Sequence, residues 1–154
     1  MPEPLRPLTA DTLAARVRMM EDAWNTCAPE RVALAYSPDS VWHCRTEVLR
    51  GRASLLRYLT RKWSRELEYR LVVAPWTFSA DRIAVRFAYE WRDDSGNWFR
   101  SYGNGHWKLD AAGLVTHRYA TVNDQPIPEA GRRLRWEWTC IRPADHAGLE
   151  ELGL

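Results

Sequence analysis

The chain has 154 residues, 45% of them hydrophobic and 27% charged, with a net charge of +2. That balance fits one globular domain and excludes a disordered tail protein or a fibrous repeat. No run approaches the roughly 18 to 20 apolar residues of a membrane span, and Met1 to Leu8 alternates proline, leucine and charge where a signal peptide needs an apolar stretch, so a cytoplasmic protein with no membrane partner is expected. Cys27, Cys44 and Cys140 are odd in number and widely spaced, which fits neither a disulfide framework nor a zinc module. The 22 basic and 20 acidic side chains nearly cancel, so bulk charge gives no pull toward nucleic acid. Nine tryptophans suit an aromatic-lined cavity or a large protein interface.

Asp11 and Thr12 are candidate caps for a helix whose apolar positions Leu13, Val17, Met20 and Trp24 recur at helical spacing. Pro29 opens a second, short helix that is expected to end at Ser37, with Pro38 and Asp39 as the turn. Val41 to Arg45 and Glu47 to Arg50 read as a short strand pair before Gly51. A third helix is expected over Arg52 to Glu66, burying Leu55, Leu56, Leu59 and Trp63 and turning Arg57, Arg61, Lys62 and Arg65 outward. From Leu67 the period shortens to two. Strands are expected over Leu67 to Phe78, Arg82 to Arg92, Trp98 to Leu109 and Leu114 to Asn123. Helices followed by consecutive strands predict an α+β fold with the helices on one face of a mainly antiparallel sheet. The whole of 1–154 is read as one domain, with 125–154 as a wrapped tail.

A left-handed Gly96 in a three-residue loop would set Asp93 against Asn97, Glu90 against Arg100 and Trp91 against Phe99. Ile83, Val85, Phe87, Tyr89 and Trp91 then share the helix-facing side with Phe99, Ser101, Gly103, Gly105 and Trp107. Arg86, Glu90, Arg100, Tyr102 and Asn104 face the other way. The small residues at 101, 103 and 105 leave two alternatives, a close approach or an unfilled space.

This order of elements, with Leu34 to Asp39, Gly51 to Leu56 and the Asp110 to Val115 turn, resembles the nuclear transport factor 2-like superfamily, also called SnoaL-like. The runs RFAYEW (Arg86 to Trp91), DDSGNWFRSYGN (Asp93 to Asn104) and the ending RPADHAGLEELGL are similar to one bacterial branch classed as a domain of unknown function. The resemblance implies a cone in which a bent sheet wraps three helices around a deep pocket, and it implies dimers packed sheet to sheet. The superfamily holds isomerases, dehydratases, epoxide hydrolases and polyketide cyclases as well as binding and transport domains. No member's catalytic residues transfer onto this chain one by one, so the catalytic set is unassigned.

His43, Cys44, His106 and His117 are ligand types for zinc, but adjacent strand residues point apart, and neither a metal nor a cofactor is expected. Arg132, Arg133 and Arg135 beside Trp136 and Trp138 carry the composition of a nucleic-acid strip without a binding motif, and are expected to dock as tail. If the cone is open, its pocket should combine Trp42, Trp63, Phe87, Tyr89 and Trp107 with a polar group drawn from Arg45, His117, Tyr119 and Asn123, beside Ser101 and Gly103. The expected ligand is small and apolar or aromatic. Isomerase, dehydratase or hydrolase chemistry without a cofactor is one reading, and a non-catalytic homodimeric interaction module using the outer sheet face is the other.

Overall fold

The computed structural model describes residues 8–154, so the reading of Met1 to Leu8 lies, except for Leu8, outside the described residues. In chain order the elements are α1 (Ala10–Asn25), α2 (Pro29–Ala33), β1 (Tyr36–Cys44), β2 (Glu47–Arg50), α3 (Gly51–Arg65), β3 (Leu67–Phe78), β4 (Arg82–Arg92), β5 (Trp98–Leu109) and β6 (Val115–Ile127), then a single 3-10 turn, Glu129–Gly131. The strands form one sheet in the order β2-β1-β6-β5-β4-β3. Only the β1 and β6 contact is parallel. The helices pack on one face, which makes the α+β cone expected from the order of elements.

Helix α1 begins earlier than expected. Thr9 accepts from the Thr12 amide at 3.2 Å while the Thr12 hydroxyl accepts from the Thr9 amide at 2.9 Å, a reciprocal cap that places Asp11 and Thr12 inside the first turn. Val17, Met20 and Trp24 are buried as their spacing predicts. Two buried polar residues of α1 bind β3: Asn25 exchanges both hydrogen bonds with the Leu71 backbone, and Glu21 accepts from the Val73 amide and Arg142. Helix α2 stops at Ala33 rather than Ser37, because Tyr36 already pairs with Val115 of β6. Pro38 and Asp39 therefore lie within β1, at its irregular stretch. That parallel pairing is non-local, and no local turn signal announces it.

Between β4 and β5 the expected register holds. Gly96 has φ of +85°, the Asp93 amide donates to Asn97 O at 3.0 Å, and Glu90 faces Arg100 as Trp91 faces Phe99. Strand β6 is longer than expected and runs on to Ile127 opposite Trp98. Beyond Ala120 it has no β1 partner, so Pro126 interrupts nothing on that edge.

The outer face is partly covered by the chain's own ending. Leu134, Trp136 and Leu149 pack on Val72 and Ala88 as a second apolar cluster. Beneath them Arg100 donates to Glu90 Oε2 through Nε at 2.9 Å and Nη2 at 2.7 Å, and Glu90 also accepts from the Arg133 and Leu134 amides. The tail arginines are used here as well, with Arg132 stacked 3.7 Å over Trp98. The part of the outer face around Glu90 is thus closed to any partner.

The space expected beside the small residues of β5 is filled. A Cβ on Gly103 would stand 2.3 Å from Phe87 Cζ and 2.5 Å from Thr121 O, so the glycine exists for the close approach of the Phe87 ring. What is left inside the cone is a cavity of about 30 Å³.

Two stability tests follow from this packing. Glu90→Ala leaves the buried Arg100 without its partner and should destabilise by about 3 to 5 kcal/mol in urea unfolding. Gly103→Leu has no void to enter and should cost at least the roughly 1 to 3 kcal/mol of ordinary overpacking, part of which Phe87→Ala should restore in a double-mutant cycle.

Candidate functional site

The phase of β6 decides what faces the interior. Arg118 pairs with the buried Trp107, so Arg118, Ala120, Val122 and Asp124 point inward. His117, Tyr119 and Asn123 lie opposite Lys108, His106 and Tyr102 and are therefore on the outer face. Their expected place in the pocket is corrected. The cause is the shift in pairing between Lys108 and Leu109, which puts the opposite alternation of β6 on the inside. His43 stacks on Tyr119 outside the sheet, with ring centroids 4.9 Å apart. Cys44, next to it, is buried on the inner side.

The remaining expected pocket residues divide between two places. Phe87, Tyr89 and Trp107 line the small inner cavity together with Arg118. Trp42 is fully buried behind it, stacked on Trp24 at 5.7 Å, with Trp63 meeting the same ring edge-on at 5.8 Å. Gly103 carries the Phe87 ring. Arg45 and Tyr89 line a second and larger cavity, of about 540 Å³, at the mouth of the cone. Ser101 reaches it through Asp124.

This mouth cavity carries an organised polar set. Arg45 sits in the two-residue turn between β1 and β2 with φ of +54°, a left-handed backbone that costs a side-chain-bearing residue about 1 to 2 kcal/mol. From there its Nη2 donates to Asp124 Oδ1 at 2.8 Å. The Ser101 hydroxyl lies 2.5 Å from the same oxygen, and Trp91 Nε1 donates to Ser101 at 2.9 Å. A run of hydrogen bonds from Trp91 through Ser101 thus fixes one side of the carboxylate while Arg45 fixes it from the solvent side. Burial would push the Asp124 carboxyl up, but the hydrogen bonds from Arg45 and Ser101 and the charges of Arg45 and Lys62 outweigh it and hold it below its ordinary range. The group is an anion at neutral pH with an accessible edge. It can accept a proton.

Across the same cavity lies Lys62. It is buried, pairs with Glu66 Oε2 at 2.8 Å and stands 4.2 Å over the Tyr89 ring. Burial works against its charge, yet Glu66 and the rings of Tyr89 and Tyr69 leave it well above the usual lysine value. The helix reading that turned Lys62 outward is corrected. Lys62 follows Leu55 and Leu59 at spacings of four and three, the same stripe that buries them. Asp124 was legible by the same means, since Ala120 and Val122 mark an apolar alternation that it continues.

With helices α1 to α3 inside a bent six-stranded sheet and a polar cavity at the open end, the protein has the nuclear transport factor 2-like fold. Among solved structures it is similar to the BvnE pinacolase of Penicillium brevicompactum, at 10% identity over 73% of this chain and 86% of that one, with a TM-score of 0.65. It is also similar to a nuclear transport factor 2-like protein of unknown function from Exiguobacterium sp. 255-15, at 16% identity over 73% and 98% with a TM-score of 0.60. A ketosteroid isomerase-like protein from Erwinia carotovora atroseptica aligns at 16% identity over 74% and 98% with a TM-score of 0.57. At such identities the likeness establishes the fold alone. The chain belongs to the family described as "Protein of unknown function (DUF1348)", whose model matches residues 6–135. No curated protein matches the sequence. Among the described residues, no helix is long and apolar enough to cross a membrane.

The Asp124 geometry carries its own test. Its contribution to stability should be complete above the unfolded aspartate value of about 3.9 and disappear as pH falls through the lower folded one. In Arg45→Met the Asp124 titration, followed by carboxyl carbon NMR, should move up toward the ordinary range.

Proposed function

We propose that this domain binds a small organic molecule in the mouth of its cone and moves a proton on it without a cofactor, in an isomerisation, dehydration or hydrolysis. The observation that carries the reading is the convergence on one cavity of about 540 Å³ of an ionised, doubly oriented carboxylate and a buried cation. That volume is within the usual range for ligand sites, roughly 300 to 1,000 Å³. In this reading Asp124 is the general base, acting on a carbon acid or on water. Arg45 and Lys62 stabilise negative charge as it grows on the substrate oxygen, and Tyr89 and Trp91 supply the apolar wall. A pinacolase is among the solved structures of similar fold, and its chemistry is an analogy for this reading.

The experiment is a mass-spectrometric search for molecules retained by the purified protein, followed by a turnover screen of small ketones, epoxides and hydroxy acids. An active substrate should lose about 10²- to 10⁴-fold in kcat with Asp124→Asn, the usual worth of a positioned acid or base. Binding that is indifferent to Asp124, Arg45 and Lys62 would sink this reading.

A second reading, a homodimeric interaction module, is favoured by the nearly filled interior and by the outer face beyond the tail. There Arg82, His106, Lys108, His117 and Tyr119 line an open groove of about 560 Å³. The occupant proposed for this face is a second copy of the chain. Sedimentation at micromolar concentration would then show a dimer.

A further inference from the structure

The inner cavity carries a different feature. Arg118 is 8% exposed and lies beside the stacked pair of Trp24 and Trp42, its guanidinium carbon 5.0 Å from the Trp24 ring centre and 4.8 Å from that of Trp42. Its Nη1 is buried with no hydrogen-bond partner, and so is Nε1 of Trp42 in the same stack. Among the described residues no carboxylate forms an ion pair with it. Buried cations are ordinarily paired, because removing such a group from water costs several kcal/mol. The other buried cations follow that rule: Lys62 has Glu66, Arg70 has Glu68, and Arg100 has Glu90. The two indoles attract the cation but satisfy no N–H, and the side-chain partner of the guanidinium is the Cys44 thiol, which leaves Nη1 without one.

The cavity of about 30 Å³ borders this group, and of its lining Arg118 is the one charged side chain, among Trp24, Tyr36, Phe87, Tyr89 and Trp107. An apolar chamber with a single uncompensated positive charge is complementary to one negative charge of small size. Its volume is above the roughly 10 to 15 Å³ that a single water requires. Tyr89 also lines the mouth cavity, so the two cavities share one wall residue.

We propose that the interior of the cone is a binding site for a compact monocarboxylate of the size of formate or acetate, held by the guanidinium of Arg118. The site lies apart from the mouth cavity and does not depend on the catalytic reading given to Asp124. The competing counter-ion is internal. Cys44 is a neighbour, its thiol 3.6 Å from the Tyr58 hydroxyl. Burial would raise that thiol, but Arg118, Tyr58 and Lys62 bring it below its ordinary value, so a thiolate is the alternative source of the missing charge.

Formate is the probe. Tm is followed for the full chain in a zwitterionic buffer as sodium formate or acetate is added, against sodium sulfate at equal ionic strength, with tryptophan fluorescence recorded in parallel. Formate should give a saturable rise in Tm and a saturable change in emission, since two of the indoles flank the site. Sulfate should give neither. Arg118→Met, which keeps an unbranched side chain against the indole pair, should unfold cooperatively and lose both responses. Should that variant fail to fold, relaxation of ¹³C-formate by the unmutated protein replaces it, and broadening must be abolished by excess acetate and not by sulfate. The proposal is overturned if formate and sulfate act alike, if Arg118→Met keeps the formate response, or if wild-type absorbance near 240 nm shows Cys44 as thiolate at neutral pH and formate acts only after Cys44→Ala. None of these outcomes touches the Asp124 reading, which is decided by kcat in Asp124→Asn.

Discussion

The alignment of β4 with β5 governs both faces of the sheet, and it is held by one carboxylate. Glu90 is fully buried and faces Arg100, so a slip of one residue would leave a bare charge under the tail. Because Glu90 also accepts from the Arg133 and Leu134 amides, the same group fixes where the C-terminal segment crosses the sheet. Arg70 then donates to Trp136 O at 2.6 Å and Arg142 reaches Glu21 on α1 at 3.1 Å. The tail thereby ties the outer face to the innermost helix. On the inner face the identical register sets Phe87 against Gly103. One alignment therefore closes the middle of the cone and pushes the free volume to its ends.

The two inward-facing cations illustrate how differently a buried charge can be treated. Lys62 arrives on a helix whose C-cap residue is Glu66, at i,i+4, so its counter-ion comes with the end of its own helix. Arg118 arrives on the central strand β6, where its inner-face neighbours on either side are Trp107 and Trp42. The flat rings of Trp24 and Trp42 beside it suit a guanidinium far better than an ammonium. The sequence uses the residue type that each surrounding tolerates, although nearly all its cations are arginine.

Much of this fold could be read from the chain because its signals are local. Gly96 in a left-handed turn, the apolar stripe of α1 and the alternation of β4 each depend on residues a few positions apart. The failures share a different cause. Tyr36 belongs to a strand because Val115 is its partner, 79 positions away by the numbering of that pair, and β6 changes phase because of a shift near Lys108. Non-local pairing and a bulge leave no local signature, so the local pattern alone extends α2 to Ser37 and turns His117, Tyr119 and Asn123 inward. Arg45, Tyr89 and Ser101 meet around the mouth, but the carboxylate that joins them, Asp124, is inward only in the shifted phase of β6. Lys62 differs: its charge points to solvent while its helical position points to the core.

The mouth is chemically distinct from the interior for a reason that lies in the taper of the cone. β1 ends at Cys44, opposite Ala120, so the inner alternation of β6 continues through Val122 to Asp124 with no strand on that edge. The Arg45 turn fills that gap from the end of β1, and its left-handed backbone is what brings a long cation back over the edge. A glycine there would relieve the backbone and remove the partner of Asp124 together. The strained turn and the exposed carboxylate thus form one device. The same ending of β1 that opens a cavity uncovers the carboxylate that needs orienting within it, which is why the polar chemistry of this chain collects where that strand stops.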